Sequence, residues 1–211
     1  VLIWPDIRGL RPAFRAMGDR LAQSGYSVLV VNPFYRGARA PLEVGDDFRE
    51  VVGPLRAALT PEAVVSDAQA FMAYLDAQES VDTTRKAGTT GYCMGGPLVM
   101  RTAAALPDRI GAVASFHGGG LVTDTEDSPH LLIPEMNAGF LIAIAENDDQ
   151  RDPESKVVLK EHFAAASLPA EIEVYEDAMH GWCPPDSRVY NEQQAERAWA
   201  RLLDLLNKSL V

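Results

Sequence analysis

Cys93 stands in the hexapeptide Gly-Tyr-Cys-Met-Gly-Gly, residues 91–96, with a glycine two positions before it and glycines two and three positions after it. A thiol held on a sharp strand-to-helix turn needs this spacing, because the backbone folds back so tightly that larger side chains there would collide. The apolar, Ala-rich run from Leu98 to Leu106 can form a helix, so the N–H groups just after Cys93, that of Met94 first, point at whatever Cys93 attacks. They supply half of an oxyanion hole. The same helix start favours thiolate over thiol, which makes sulfur a usable nucleophile. Alone, the hexapeptide fits a buried, unreactive turn thiol equally well, since unpaired cysteines are commonly buried.

A nucleophile needs partners, and the order of elements says where they can come from. Val1 to Trp4 and Val28 to Val31 have the character of buried strands, and Ala87 to Thr90, Ile110 to Phe116, Phe140 to Ala145 and Ile172 to Tyr175 read as further strands. Between them lie helical segments from about Ala13 to Ser24, Pro61 to Gln78 with Thr60 as cap, Pro153 to Ala166 and Asn191 to Leu206. This alternation predicts one α/β domain over residues 1–211, with a doubly wound, mostly parallel sheet and helices on both faces. The chain opens in what looks like the middle of a buried strand, so further amino-terminal strands are expected upstream.

In such sheets the working groups gather at the carboxyl ends of the strands. Three ends are chemically loaded: Cys93, then Glu146-Asn147-Asp148-Asp149, then Glu176-Asp177-Ala178-Met179-His180-Gly181. Nucleophile, acid and histidine follow one another in the order of an α/β-hydrolase triad. An imidazole ordinarily titrates close to neutrality, so His180 is suited to exchange a proton with Cys93 and with a leaving group. It is preferred to His117, which precedes the acidic segment, and to His162, which falls within a helix. For the acid, Asp148 is preferred, lying three residues after Ala145; Asp149 is the alternative, and Asp152 and Glu154 suit the start of the next helix.

Composition removes other classes. A formal charge of -11 argues against non-specific binding to nucleic acid or to anionic membranes. No stretch approaches the roughly 20 apolar residues of a membrane span. Two cysteines do not make a disulfide framework in a chain of 211 residues, which fits a reducing cytoplasm. The glycines at 91, 95 and 96 do not form G-x-G-x-x-G, and the His and Cys residues lack metal-ligand spacing, so no cofactor and no metal is expected.

The cysteine elbow, the Ala-Glu-Asn-Asp run from Ala145 with its downstream Pro153, and Tyr175-x-x-Ala-x-His-Gly-Trp together resemble the dienelactone hydrolase (carboxymethylenebutenolidase) family. Trp4-Pro5-Asp6-Ile7-Arg8-Gly9 and Val30-Val31-Asn32-Pro33 extend the resemblance over essentially the whole chain. It implies the α/β-hydrolase fold, a Cys93–His180–Asp148 triad acting on a small ester or lactone, and the N–H of Ile7 as second oxyanion donor beside that of Met94. It further implies an acidic residue near the thiol, here the short Asp6, and an arginine four residues after the histidine, where this chain has Pro184. Arg8, Arg11, Arg36 and Arg39 are the loop guanidiniums available instead, and Asp6, Arg8, Arg36 and Trp182 make up the expected substrate contacts. A cleft that binds without turnover, and a redox-sensing Cys93, are the competing functions.

Overall fold

The computed structural model describes residues 1–43, 45 and 47–210. Six strands, β1 (Leu2–Trp4), β2 (Leu29–Val30), β3 (Ala87–Tyr92), β4 (Ile110–Phe116), β5 (Gly139–Ala145) and β6 (Ala170–Tyr175), form one sheet. Their order is β2-β1-β3-β4-β5-β6 and every pairing is parallel. Seven helices connect or flank them among the described residues: α1 (Pro12–Gln23), α2 (Phe48–Ala57), α3 (Pro61–Asp76), α4 (Gly95–Ala105), α5 (Glu146–Arg151), α6 (Pro153–Ala165) and α7 (Glu192–Ser209).

Successive side chains on a strand point to opposite faces, and here both faces are apolar. Leu2, Trp4, Val113, Phe140 and Ile142 join one core cluster with Val64, Val99, Leu159 and Phe163 from α3, α4 and α6. Ile3, Ala112, Ala114, Leu141 and Ala143 join the other, with Phe14 and Leu21 of α1 and Leu202 and Leu206 of α7. The chain passes from β2 across β1 to β3, so the strand order reverses between β1 and β3. Ligands bind outside the carboxyl ends of strands at such a point.

Local chemistry sets the helix starts. The hydroxyl of Thr60 accepts the Ala63 N–H at 3.3 Å with Pro61 at the first helical position, and the side chain of Asn191 accepts the Gln194 N–H at 3.1 Å. Two helices depart from the sequence expectation. Helix α2 forms although Gly53 and Pro54 lie inside it, and α5 turns the expected acidic loop into a short helix. No helix among the described residues is long and apolar enough to cross a membrane.

Because α7 covers one face of the sheet through Leu202, which is 1% exposed, Leu202→Ala is expected to cost about 2–5 kcal/mol of stability. Urea unfolding followed by circular dichroism measures this; a loss under about 1 kcal/mol would mean that α7 is not a structural wall of the core.

Candidate active site

The site begins with a strained residue. Cys93, between the end of β3 and the start of α4, has φ +54°, a left-handed conformation that non-glycine residues rarely adopt. Its N–H donates to the Phe116 carbonyl at 3.0 Å, tying the turn to β4. A Cβ added at Gly91 would lie 2.1 Å from the Gly95 oxygen, one at Gly95 2.4 Å from the Trp4 oxygen, and one at Gly96 2.6 Å from Gly118 Cα. Each lies well inside van der Waals contact, which is why these three positions carry no side chain.

His180 reaches the elbow from the loop after β6. Its Nε2 lies 3.2 Å from Cys93 Sγ, and its Nδ1 lies 2.6 Å from Asp148 Oδ2. Asp149 pairs instead with Lys156 at 2.6 Å. Helix α5 also positions the histidine loop. The Asn147 side-chain oxygen accepts the His180 N–H at 2.7 Å, the Glu146 carboxylate accepts the Asp177 N–H at 2.7 Å, and the Glu146 N–H donates to the Ala178 carbonyl at 2.9 Å. The sequence reading missed Glu146 and Asn147 as supports, although both lie in the acidic run that it singled out.

The hydrogen bond to Asp148, followed by that to Cys93, raises the pKa of His180 to about 10, while partial burial works in the opposite direction. His117 behaves differently. It is 1% exposed, its ring stands edge-on to that of His180 at 5.1 Å, and burial holds its pKa well below the ordinary value. The two histidines differ through environment: one faces a carboxylate and a thiol, the other only rings. His162 lies in α6 and stacks edge-on against His130 at 4.7 Å.

Met94 follows Cys93 directly, and Ile7 lies in the turn after β1, where Gly9 N–H donates to the Asp6 carbonyl at 2.9 Å. Neither the Ile7 nor the Met94 N–H has an acceptor among the described residues. Beside Met94 opens a cavity of about 240 Å³ lined by Leu59, Leu98 and Pro129 on the apolar side and by Arg56, Arg101 and Thr123 on the polar side. Among the described residues no group of three or more His, Cys, Asp or Glu side chains could hold a metal ion.

A model of the dienelactone hydrolase family matches residues 1–210. The chain belongs to that family. Carboxymethylenebutenolidase of Rhodococcus opacus is 25% identical over 213 residues, covering 100% of this chain and 81% of that protein. The Pseudomonas putida carboxymethylenebutenolidase is 27% identical over 208 residues, covering 98% of this chain and 84% of its own length. Among solved structures, a dienelactone hydrolase-like promiscuous phosphotriesterase from metagenomic libraries superposes with a TM-score of 0.81 at 18% identity, covering 100% of this chain and 86% of that one. The fold is the α/β-hydrolase fold.

Against this dienelactone hydrolase background, the expected substrate contacts need correction. Trp182 is fully buried, stacked on Tyr175 at 5.1 Å and edge-on to His117 at 5.1 Å, so it is a core side chain behind the histidine loop. Asp6 is 9% exposed and both its oxygens are occupied, by Arg11 and by the Arg8 N–H. Arg36 is engaged with buried Asp67 of α3 and lies over the Tyr35 ring at 5.0 Å. Arg8 stays half-exposed, 3.4 Å from Asp186, and Arg39 is exposed. Cys183 is a buried free thiol, and burial pushes its pKa well above the ordinary value. Asp186, which gave no signal in the sequence, proves to be a partner of Arg11.

Removing the main cause of the His180 shift gives a direct check. In Asp148→Asn the His180 pKa is expected to fall from about 10 towards the ordinary value near 6.5. The stabilising contribution of a raised histidine pKa is complete below about 6.5 and lost as pH rises through the folded value, so the variant should lose stability most below pH 7. Histidine ring NMR across a pH titration reads this; an unchanged titration would show that Asp148 does not hold the proton on His180.

Proposed function

We propose that residues 1–211 form one hydrolase domain that cleaves a small ester or lactone through a Cys93 thioester, with His180 and Asp148 as the other two members of the triad. The observation that carries this reading is the unbroken chain from sulfur to imidazole to carboxylate, 3.2 Å and then 2.6 Å, at the crossover of a parallel sheet. Carboxymethylenebutenolidases among the relatives give the bond type.

The steps follow from the charges. Sγ, as thiolate, attacks the acyl carbon, and the carbonyl electrons move to oxygen, where the N–H groups of Ile7 and Met94 receive the negative charge. The C–O bond to the alcohol then breaks, and His180 Nε2 gives its proton to the departing oxygen. For a lactone that oxygen remains tethered in the same molecule. Once sulfur is acylated, its share in raising the His180 pKa is gone, so the imidazole gives up the proton more readily at this moment than in the resting pair. Neutral His180 next removes a proton from water, whose oxygen attacks the thioester. Sulfur leaves as thiolate, the acid product departs, and one ester plus one water has become one acid and one alcohol.

Asp148 fixes the ring so that Nε2 faces sulfur and stabilises the imidazolium throughout. No cofactor or metal enters these steps. The net charge of -11 disfavours nucleic acid and anionic membranes as partners, and the two free thiols suit a cytoplasmic location.

On a panel of p-nitrophenyl esters and small lactones, Cys93→Ala and His180→Ala are each expected to lower kcat by roughly 10³-fold or more, the scale on which loss of a nucleophile or its base acts. Hydrolysis that survives both substitutions at wild-type rate would exclude this mechanism, and a wild type that binds the same lactones without turnover would favour a non-catalytic binding protein.

A further inference from the structure

We propose that Arg11 is a positioning residue that holds the turn bearing the Ile7 N–H in its oxyanion-binding orientation, an inference that rests on the thiol acyl-transfer reading above. Arg11 precedes α1 and is 7% exposed. A guanidinium has five N–H donors in a rigid fork, and here all five are used. Nη1 donates to Asp6 Oδ1 at 2.7 Å and to the Gly9 carbonyl at 3.3 Å, and Nη2 to Asp6 Oδ2 at 2.9 Å and Asp186 Oδ1 at 3.0 Å. Nε donates to Asp186 Oδ2 at 2.7 Å.

These contacts fall at both ends of one turn. Asp6 and Gly9 are its first and last residues, joined by their own backbone bond, and Asp6 Oδ1 also accepts the Arg8 N–H at 2.9 Å. Ile7 sits between them with its N–H unspent among the described residues. On its other side the guanidinium grips Asp186, six residues after His180 in the same loop. One cation therefore ties the loop after β1 to the loop after β6, while the elbow stands at the end of β3. Without it, two carboxylates that share a single cation would face each other and repel, and the turn between Asp6 and Gly9 would lose its outer support. Lysine cannot replace it, because three donors radiating from one nitrogen do not span two carboxylates and a carbonyl.

The role predicts a selective defect. Acylation of Cys93 by p-nitrophenyl acetate develops an oxyanion, whereas alkylation by iodoacetamide displaces iodide at a saturated carbon and develops none. In Arg11→Met and Arg11→Lys, burst-phase acylation is expected to slow by about ten-fold or more, towards the 10²-fold or larger loss of a whole oxyanion donor. Alkylation should stay within about two-fold and KM should change little. If both rates fall together, or neither falls, the inference is overturned. Should Arg11→Met fail to fold, judged by circular dichroism, Asp186→Asn decides: acylation slowed by at least about three-fold with alkylation unchanged supports the role, and unchanged acylation refutes it. A wild type that is alkylated but never acetylated on Cys93 contradicts the acyl-transfer reading and this inference with it, whereas normal wild-type acetylation with no Arg11 effect overturns this inference alone.

Discussion

The approach of Gly95 to the Trp4 carbonyl is the contact on which the rest of the site depends. A methyl group at Gly95 would lie 2.4 Å from that oxygen and 3.1 Å from the Pro5 oxygen, so the end of β1 rests directly on the first turn of α4. This contact brings the turn that begins at Asp6 beside the turn that carries Cys93. The same closeness keeps Cys93 at φ +54°, a conformation worth of order 1–3 kcal/mol of strain that packing on both sides must offset.

Electrostatics completes what packing begins. At the centre, His180 lies between a thiol and a carboxylate, and its affinity for a proton follows from both. At the edge, Arg11 lies between the carboxylates of Asp6 and Asp186, with side chains that are 8%, 12% and 36% exposed. Ion pairs this poorly solvated contribute little net stability, because desolvation offsets attraction. Their value lies in geometry: a planar fork with two carboxylates on it permits one arrangement of the loops. The two devices are alike in logic, since each uses a group with fixed directions to hold a loop to the sheet.

Much of this was legible in the chain. Continuous apolar runs marked β1, β2, β4 and β5, because strands covered on both faces need no alternation, and Ile110 to Phe116 has the bounds that the fold shows; β3 is short and threonine-rich, and the edge strand β6 alternates with Glu171 and Glu173. The elbow was legible because close backbone approach admits only glycine. Helix α2 was hidden by Gly53 and Pro54, and only one of its residues, Val52, is buried. Trp182 was misjudged because an aromatic beside a candidate histidine looks like a cleft wall, and only packing against Tyr175 and His117 shows that it faces inward. Arg11 stood among four candidate guanidiniums, and Arg8 and Arg36 were preferred to it. What distinguishes it is Asp186, a partner 175 residues away.

A covalent bond at Cys93 is the direct mark of the proposed chemistry. Rapid quench of the protein with an activated ester, followed by intact mass and peptide mapping, measures it. The expected result is one acyl group per chain, borne by the peptide that contains Gly91 to Gly96, released by hydroxylamine as a thioester is, and absent when His180 is replaced by alanine. Turnover of the ester with no acyl group on that peptide, or an acyl group on another residue, would contradict it.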